Sequence, residues 1–266
     1  MGDGGRFEPV AEPPLRPPAQ GDLPTRLPTE RDLARTAWPD VPVGALVLVP
    51  VGSTEQHGPH LPLHTDSAVA VAVAERVAEA LPAGPGGPPR VAPVLAYGAS
   101  GEHAGFPGTI SIGHEALLAV LVETVRSLSL WAGRVVFVNG HGGNTRTLAA
   151  AVTRMRAEGH DVAWAGCEVP GGDAHAGRTE TSVMLHLAPE QVRMDAAVVG
   201  DTRPLATVLP ELVDRGVLAV SPTGVLGDPT GAHAEEGARL VAAMVAGAVR
   251  RIAHDTVDRH GRLIDP

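Results

Sequence analysis

Hydrophobic and polar positions follow two different periods along the chain. Short apolar runs with the length of buried strands occur at residues 45–51, 91–96, 135–138 and 161–167. Longer segments with helical apolar spacing occupy residues 67–81, 115–131, 147–158, 178–187 and 234–253. Strands that alternate with helices are typical of a mostly parallel sheet that is covered on both faces. We therefore predict a single-domain α/β fold with a mostly parallel sheet and helices on both faces.

Other segments lack these patterns. Residues 1–28 are rich in proline and glycine, so we predict a disordered or extended N-terminal arm there. Residues 29–37 are predicted to form a short helix capped by Thr29, and the folded domain is expected to span residues 29–266. Residues 188–231 show little periodicity, and no regular element is predicted in them.

The stretch after the first predicted strand, VGSTEQHGPHLPLHTD at residues 51–66, brings acidic and imidazole side chains together. Glu55 and His57 are two positions apart, so in extended backbone both point to the same side. Asp66 opens the helix that is predicted next. Carboxylates and imidazoles at such a junction suit divalent cations such as Zn, Fe and Mn. The alternative for Asp66 is a helix cap with no ligand role.

Polar clusters also follow the other predicted strands, at residues 97–111, 139–145 and 168–180. In a parallel sheet, ligands bind at the carboxyl ends of the strands, so these clusters are expected to converge. His141 lies in the NGHGGN turn, where glycines allow the backbone to approach a ligand closely. The alternatives for this turn are a phosphate cradle, or a histidine that only caps the turn.

The stretch HAGRTETS at residues 175–182 supplies His175 and Glu180 as further candidates. The alternative for Glu180 is an exposed first-turn glutamate that the helix dipole favours. The alternative for His175 is a solvated loop residue. Convergence with the other clusters favours a shared site over either alternative.

Composition narrows the possible chemistry and partners. The chain has no lysine, which removes Schiff-base chemistry and the phosphate-loop lysine. A formal net charge of −9 without a basic run argues against nucleic acid as a partner. The single cysteine, Cys167, excludes a disulfide framework and a thiolate zinc site. Apolar runs are too short to cross a membrane and no signal-peptide core is present, so we expect a cytoplasmic protein.

Two nucleophile alternatives are weaker than the metal site. Ser100 lies in GASGE, which misses the GxSxG elbow because its closing glycine comes one place early. Cys167 ends a predicted buried strand, where a structural thiol is expected. The remaining histidines of interest are expected to be loop, core or supporting residues: His60, His64, His103, His114, His186 and His233.

Four long motifs together resemble the creatininase (creatinine amidohydrolase) family. They are GSTEQHGPHLPLHTD (52–66), YGASGEHAGFPGTIS (97–111), NGHGGN (139–144) and HAGRTETS (175–182). The resemblance implies an α/β fold, a two-metal amidohydrolase site, and a closed homo-oligomer such as a hexamer or octamer.

The resemblance also implies roles for individual residues. The ligands of two divalent ions, Zn and/or Fe(II) with Mn as a further option, would be Glu55, His57, Asp66, His141 and Glu180, and Asp66 would bridge the ions. His175 would be the acid/base group that handles the scissile amide nitrogen. Glu102 and His103 would help to shape the substrate pocket.

The sequence departs from the creatinine-cleaving members at two points. Those members carry a glutamate two residues after the histidine equivalent to His141, and here that place is Gly143. They also place tryptophans beside the substrate, whereas Trp38, Trp131 and Trp164 do not lie in the matching loops. Creatinine is therefore not expected as the substrate.

Within the family, the EQHGPHLPLHTD and HGGN forms and the Arg/Ala-rich character look most like the branch that serves mycofactocin biosynthesis. Members of that branch are peptidases that release a small C-terminal Val-Tyr-derived fragment from a modified ribosomal precursor peptide. The resemblance thus implies a peptide substrate. Two alternatives stay open: a small-molecule amidohydrolase of the same fold acting on a cyclic amide or a formamide, and a non-catalytic metal-binding scaffold.

Overall fold

A computed structural model describes residues 31–265, so the arm predicted at residues 1–28 lies outside the described residues. One parallel sheet in the order β2-β1-β3-β4 is formed by β1 (Leu46–Val51), β2 (Arg90–Val91), β3 (Arg134–Asn139) and β4 (Val162–Gly166). The helices are α1 (Thr65–Ala80), α2 (Gly113–Leu128), α3 (Thr145–Ala157), α4 (Arg178–Leu187), α5 (Leu205–Arg215), α6 (Val217–Val220) and α7 (Ala234–His254). Within residues 31–265, none of these helices combines the length and hydropathy needed to cross a bilayer.

The sheet is buried on both faces, which explains why its strands are continuous apolar runs. On one face, Leu48 of β1 and Val136 of β3 pack in a cluster with residues of α1 and α7. On the other face, Val49 of β1 and Phe137 of β3 pack with residues of α2 and α3. Each fully buried side chain of this size contributes about 1.5–3 kcal/mol. The predicted parallel sheet with helices on both faces is confirmed.

Two elements are shorter than the sequence predicts. The strand expected at residues 91–96 is regular only at Arg90–Val91, because Pro93 has no amide hydrogen to continue the ladder. Beyond Pro93, Leu95 forms an isolated parallel bridge with Val51 of β1. The short helix expected at residues 29–37 begins outside the described residues. Within them, Leu33–Arg35 forms a single 3₁₀ turn that Asp32 caps by accepting from the Ala34 amide at 3.0 Å.

The weakly periodic region at 188–231 contains two helices that the sequence did not predict, α5 and α6. Pro210 lies inside α5, and a proline in a helix normally argues against one. Val208 and Leu212 nevertheless turn inward and form a small apolar cluster with Val217 and Leu226. Tertiary packing of this cluster holds a segment whose sequence signal is weak.

Two glycines let the strand ends approach the start of α1. A Cβ at Gly52, directly after β1, would lie 2.3 Å from Ser67 Oγ. A Cβ at Gly140, directly after β3, would lie 2.3 Å from the Asp66 carbonyl oxygen. The absence of these Cβ atoms brings the carboxyl ends of β1 and β3 against the first turn of α1.

Candidate metal and catalytic site

Asp66 lies between two imidazoles that come from different loops. As the second residue of α1, it is buried, and its Oδ1 lies 3.1 Å from His57 Nε2. Its Oδ2 lies 3.3 Å from His141 Nδ1. One carboxylate therefore faces the loop after β1 through one oxygen and the turn after β3 through the other.

Three overlapping groups of possible ligands share this region. Glu55, Asp66 and His141 form the first, and Glu55 Oε1 lies 3.2 Å from His141 Nδ1. His57 lies in the second with Glu180, whose Oε2 is 3.8 Å from His57 Nε2. Within each group the ligand atoms lie within 4.8 Å of one another. His175 belongs to the second group as well, so the structure brings all six site residues predicted from the sequence together.

Local hydrogen bonds fix how these side chains face the cluster. His57 Nδ1 lies 3.2 Å from the Glu55 carbonyl oxygen, which leaves Nε2 to face Asp66. The Ala176 amide donates to Glu180 Oε2 at 2.6 Å, in the first turn of α4. The backbone of His175 is held by the Leu226 amide, which donates to its carbonyl oxygen at 2.8 Å. The cluster is therefore held by backbone groups as well as by side chains.

His103, which the family resemblance named only as a residue that shapes the substrate pocket, is buried in the same cluster. Its Nε2 lies 3.2 Å from Glu55 Oε1, and Glu55, His103 and His175 form a third group of possible ligands. The available signal was its place in the polar stretch after the second predicted strand. The sequence analysis missed Gln56, whose amide nitrogen lies 2.9 Å from His103 Nδ1.

The other candidates named from the sequence lie outside this cluster. His60 is buried and pairs with Thr181 Oγ1 at 2.8 Å. His114 pairs with Thr147 Oγ1 at 2.8 Å. The Ser100 hydroxyl hydrogen-bonds to the hydroxyl of Ser53. Within the described residues, it makes no hydrogen bond to an imidazole. Ser100 therefore lacks the imidazole partner that activates a serine nucleophile.

Cys167 does not have the properties of a reactive thiol. Burial raises the pKa of its thiol to about 12, and Arg251 offsets this only in part. Because the thiolate is the nucleophile, a thiol with this pKa is almost fully protonated at neutral pH. The expectation of a structural cysteine agrees with this environment.

The carboxylates and imidazoles shift each other's pKa strongly. Burial raises the pKa of Glu55, but His141, His103 and His57 outweigh it and bring that pKa well below its usual value. Burial lowers the pKa of His57, but Asp66, with Glu180 and Glu55, raises it to about 10. The buried carboxylates thus strongly stabilise a positive charge at the centre of the site.

His175 has the opposite shift although it lies in the same cluster. Burial lowers its pKa well below the usual value, and the neighbouring His57 and His103 lower it further. Its imidazole is therefore neutral at neutral pH. Rings of His57 and His175 lie with centroids 4.3 Å apart, so two adjacent imidazoles differ in charge because only one of them faces Asp66 closely. Such divergence is typical of sites that divide roles between similar groups.

Glu102 occupies the space beside the turn that carries His141. Its Oε1 lies 3.5 Å from His141 Nε2. A Cβ at Gly143 would lie 2.5 Å from that same Glu102 oxygen and 2.4 Å from His141 Nε2. The Gly143 position therefore has no room for a side chain in this arrangement.

The donor set fits divalent metal ions. Within the described residues, neither oxygen of Glu55 nor Asp66 Oδ2 receives a well-directed hydrogen bond, although all three are buried. Buried carboxylate oxygens without donors are costly unless a cation compensates them. Mixed carboxylate and imidazole ligands suit Zn, Fe(II) and Mn.

Comparison with known proteins agrees with this chemistry. A family model described as creatininase, creatinine amidohydrolase, matches residues 34–252. The chain belongs to the creatininase family. A relative from Mycolicibacterium smegmatis, named mycofactocin precursor peptide peptidase, is 57% identical over 218 residues, which cover 82% of this chain and 88% of the relative.

Solved creatininase structures share the fold. A structure titled as the Mn form of creatininase has a TM-score of 0.70 and 27% identity, covering 85% of this chain and 98% of that one. A glutamate-to-glutamine mutant of creatininase, described as Zn-Zn type, has a TM-score of 0.69 and 26% identity, covering 84% of this chain and 97% of that one. The family resemblance drawn from the four sequence motifs is confirmed.

Proposed function

We propose that this protein is a metal-dependent peptidase of mycofactocin biosynthesis. It hydrolyses a peptide C–N bond in a modified ribosomal precursor peptide and releases a C-terminal Val-Tyr-derived fragment. The observation that carries the proposal is the convergence of Glu55, Asp66 and His141 with His57 and Glu180 at the carboxyl ends of parallel strands. The 57% identity to a relative named mycofactocin precursor peptide peptidase supports the substrate class.

Two divalent ions would be held by five side chains. Glu55 and His141 would serve one ion and His57 and Glu180 the other, while Asp66 would bridge them because its two oxygens face the two imidazoles separately. When bound, such ions lower the pKa of a water molecule and polarise an amide carbonyl. Zn and/or Fe(II) are the proposed metals, with Mn as a further option, and the Zn-Zn and Mn titles of related structures support this choice.

His175 would carry the proton between water and the leaving group. It is buried and neutral, so it can accept a proton from the attacking water. As the C–N bond breaks, it returns that proton to the amine nitrogen. The products are a carboxylic acid and a free amine, and the imidazole ends in its starting state. Glu102, at the edge of the cluster beside His141, would help to shape the substrate pocket.

The remaining expectations belong to this proposal. A homo-oligomer, hexamer or octamer, is expected from the family resemblance. We also propose a cytoplasmic enzyme whose folded domain spans residues 29–266, with no nucleic-acid or membrane partner. No feature of the site favours the small-molecule amidohydrolase or the scaffold over the peptidase.

Metal content is the first test. The full chain would be purified without chelator or metal-affinity resin, and its metals counted by inductively coupled plasma mass spectrometry. We expect about two transition-metal ions per chain. A protein that holds no metal, and takes up none on addition of Zn²⁺, Fe²⁺ or Mn²⁺, would contradict the proposal.

Substrate class is the second test. The modified precursor peptide, its unmodified form, creatinine and a formamide would be offered to the metal-loaded enzyme, and products identified by mass spectrometry. We expect release of a C-terminal fragment from the modified peptide and no turnover of the small amides. Turnover of a small amide alone would support the amidohydrolase, and metal binding without any turnover would support the scaffold.

A further inference from the structure

We propose that Gln56 is a positioning residue, which fixes the tautomer of His103 through its side-chain amide and the tautomer of His175 through its main-chain carbonyl oxygen. Gln56 is buried at the centre of the loop after β1, between the proposed ligands Glu55 and His57. The tautomer assignment rests on geometry alone, whereas its effect on turnover rests on the proposed peptidase function.

The orientation of the Gln56 amide is set by backbone groups. The Gly58 amide donates to Gln56 Oε1 at 2.8 Å, so this atom is the oxygen and the other terminal atom is the nitrogen. That nitrogen, Nε2, lies 3.1 Å from the Gly224 carbonyl oxygen, which can only accept. Both contacts agree on one orientation, and the flipped amide would lose both.

Gln56 Nε2 carries two hydrogens but has three neighbours within hydrogen-bond distance. Besides Gly224, Nε2 lies 2.9 Å from His103 Nδ1 and 3.0 Å from His175 Nε2. His175 Nε2 also lies 2.8 Å from the Gln56 main-chain carbonyl oxygen. Because a carbonyl oxygen only accepts, His175 Nε2 must carry a hydrogen and cannot accept one from the amide. The two amide hydrogens therefore go to Gly224 and His103.

This count assigns both tautomers. His103 accepts at Nδ1, so its hydrogen is on Nε2, which lies 3.2 Å from Glu55 Oε1. His103 thus supports a proposed ligand rather than acting as one. His175 has its hydrogen on Nε2 and a bare Nδ1, which lies 3.9 Å from Glu55 Oε1. The nitrogen free to accept a proton is the one that faces the carboxylate cluster.

The burial of His175 supports this assignment. His175 is buried, and its Nε2 lies 2.8 Å from the main-chain carbonyl oxygen of Gln56, so only Nδ1 is free to accept a proton. In the other tautomer, a hydrogen on Nδ1 would block proton acceptance at the cluster. The main chain of Gln56 would therefore act on turnover through His175, and its side chain would act through His103 and Glu55, without contact with substrate.

The direct test is nitrogen-15 NMR of the imidazoles in the full chain loaded with Zn²⁺, which is diamagnetic. His175 and His103 would be assigned by loss of their signals in His175→Gln and His103→Gln. We expect a protonated Nε2 and a bare Nδ1 for both rings. A hydrogen on Nδ1 of His175 in the unmutated protein would overturn the inference without reference to any variant or activity.

The kinetic test compares Gln56→Glu with Gln191→Glu, a matched change at an exposed glutamine. The Gln56→Glu carboxylate offers no hydrogen to His103 Nδ1, so we expect that ring to take up a hydrogen there and kcat for the precursor peptide to fall roughly 10- to 100-fold, as other supporting residues do. KM, zinc content and Gln191→Glu turnover should stay close to those of the unmutated enzyme. Gln56→Met gives a second variant that removes both donors while it keeps the side-chain volume.

The outcomes separate the two proposals. Unchanged tautomers and unchanged kcat in Gln56→Glu, with an active unmutated enzyme, would overturn the role of Gln56 and leave the peptidase proposal standing. An unmutated enzyme that cleaves no peptide would overturn the proposed function, while the NMR spectra would still decide the tautomers.

Discussion

His57 and Asp66 face each other with 3.1 Å between Nε2 and Oδ1. His57 lies in the loop after β1, nine positions before Asp66 in the first turn of α1. The second oxygen of Asp66 faces His141 at 3.3 Å. Asp66 thus contacts His57 through one oxygen and His141 through the other. A residue in this position is expected to matter for both halves of the site at once.

Asp66→Asn should therefore remove metal from both positions. An amide keeps the size of the side chain but lacks the charge that would offset two cations. We expect less than one ion per chain and a loss of turnover of more than about 100-fold, since even supporting residues cost 10- to 100-fold. Asp214→Asn, at an exposed site, is the matched control. Full metal content in Asp66→Asn would argue against bridging.

His175→Ala should separate metal binding from catalysis. If His175 moves a proton and is not a ligand, its loss leaves both ions in place. Turnover should fall by about 10²- to 10⁴-fold, the usual contribution of a general acid–base group. His254→Ala, on the exposed end of α7, controls for loss of a histidine. Loss of an ion from His175→Ala would instead make this residue a ligand.

Gly143→Ala should disturb the cluster, whereas Gly142→Ala should not. The new Cβ at 143 would lie 2.4 Å from His141 Nε2 and 2.5 Å from Glu102 Oε1. At the adjacent Gly142, a Cβ would have no atom of the described residues within 4 Å. We expect weaker metal binding and at least about tenfold lower turnover for Gly143→Ala only. Equal activity of the two variants would mean that the turn adjusts to the new side chain without moving His141.

Cys167→Ala should keep most of the activity, because burial raises the thiol pKa to about 12 and the thiolate is scarce at pH 8. Iodoacetamide should label the native protein slowly at that pH and the urea-unfolded protein quickly, as mass spectrometry can show. Loss of turnover in Cys167→Ala with unchanged metal content would support Cys167 as the nucleophile.

His60 should make the fold sensitive to acid. Burial, with the nearby charge of His57, lowers its pKa to about 4, below the value of about 6.5 in an unfolded chain. The unfolded state therefore binds the proton more readily between pH 6.5 and 4, so the stabilisation is complete above pH 6.5 and is lost as pH falls toward 4. The loss is at most about 3 kcal/mol.

Urea unfolding from pH 7 to pH 4 would measure this effect. His60→Gln keeps a partner for Thr181 Oγ1 but has no titrating group, so its free energy of unfolding should fall less steeply with acid than that of the unmutated protein. His254→Gln, on the surface, should have the unmutated slope. Parallel curves for His60→Gln and the unmutated protein would contradict the prediction.

Sequence by itself determined the elements with strong local signals. Uninterrupted apolar runs predicted β1, β3 and β4, since a strand buried on both faces has no polar positions. The helix at Arg178–Leu187 was predicted with its observed bounds. Acidic and imidazole residues after each strand predicted a shared site, because parallel strands all end at one edge of the sheet.

Only the tertiary structure decided which nitrogen and oxygen atoms meet. The sequence could not show that His103, in the loop after β2, lies 3.2 Å from Glu55, because that distance depends on how two loops pack. It could not predict α5 either, because Pro210 argues against a helix there. Packing against Val217 and Leu226 stabilises that helix in the folded protein. The amide direction of Gln56 likewise depends on Gly58 and on Gly224, which is 168 residues away. Local chemistry follows from spacing along the chain, but hydrogen-bond partners distant in sequence are set only when the chain folds.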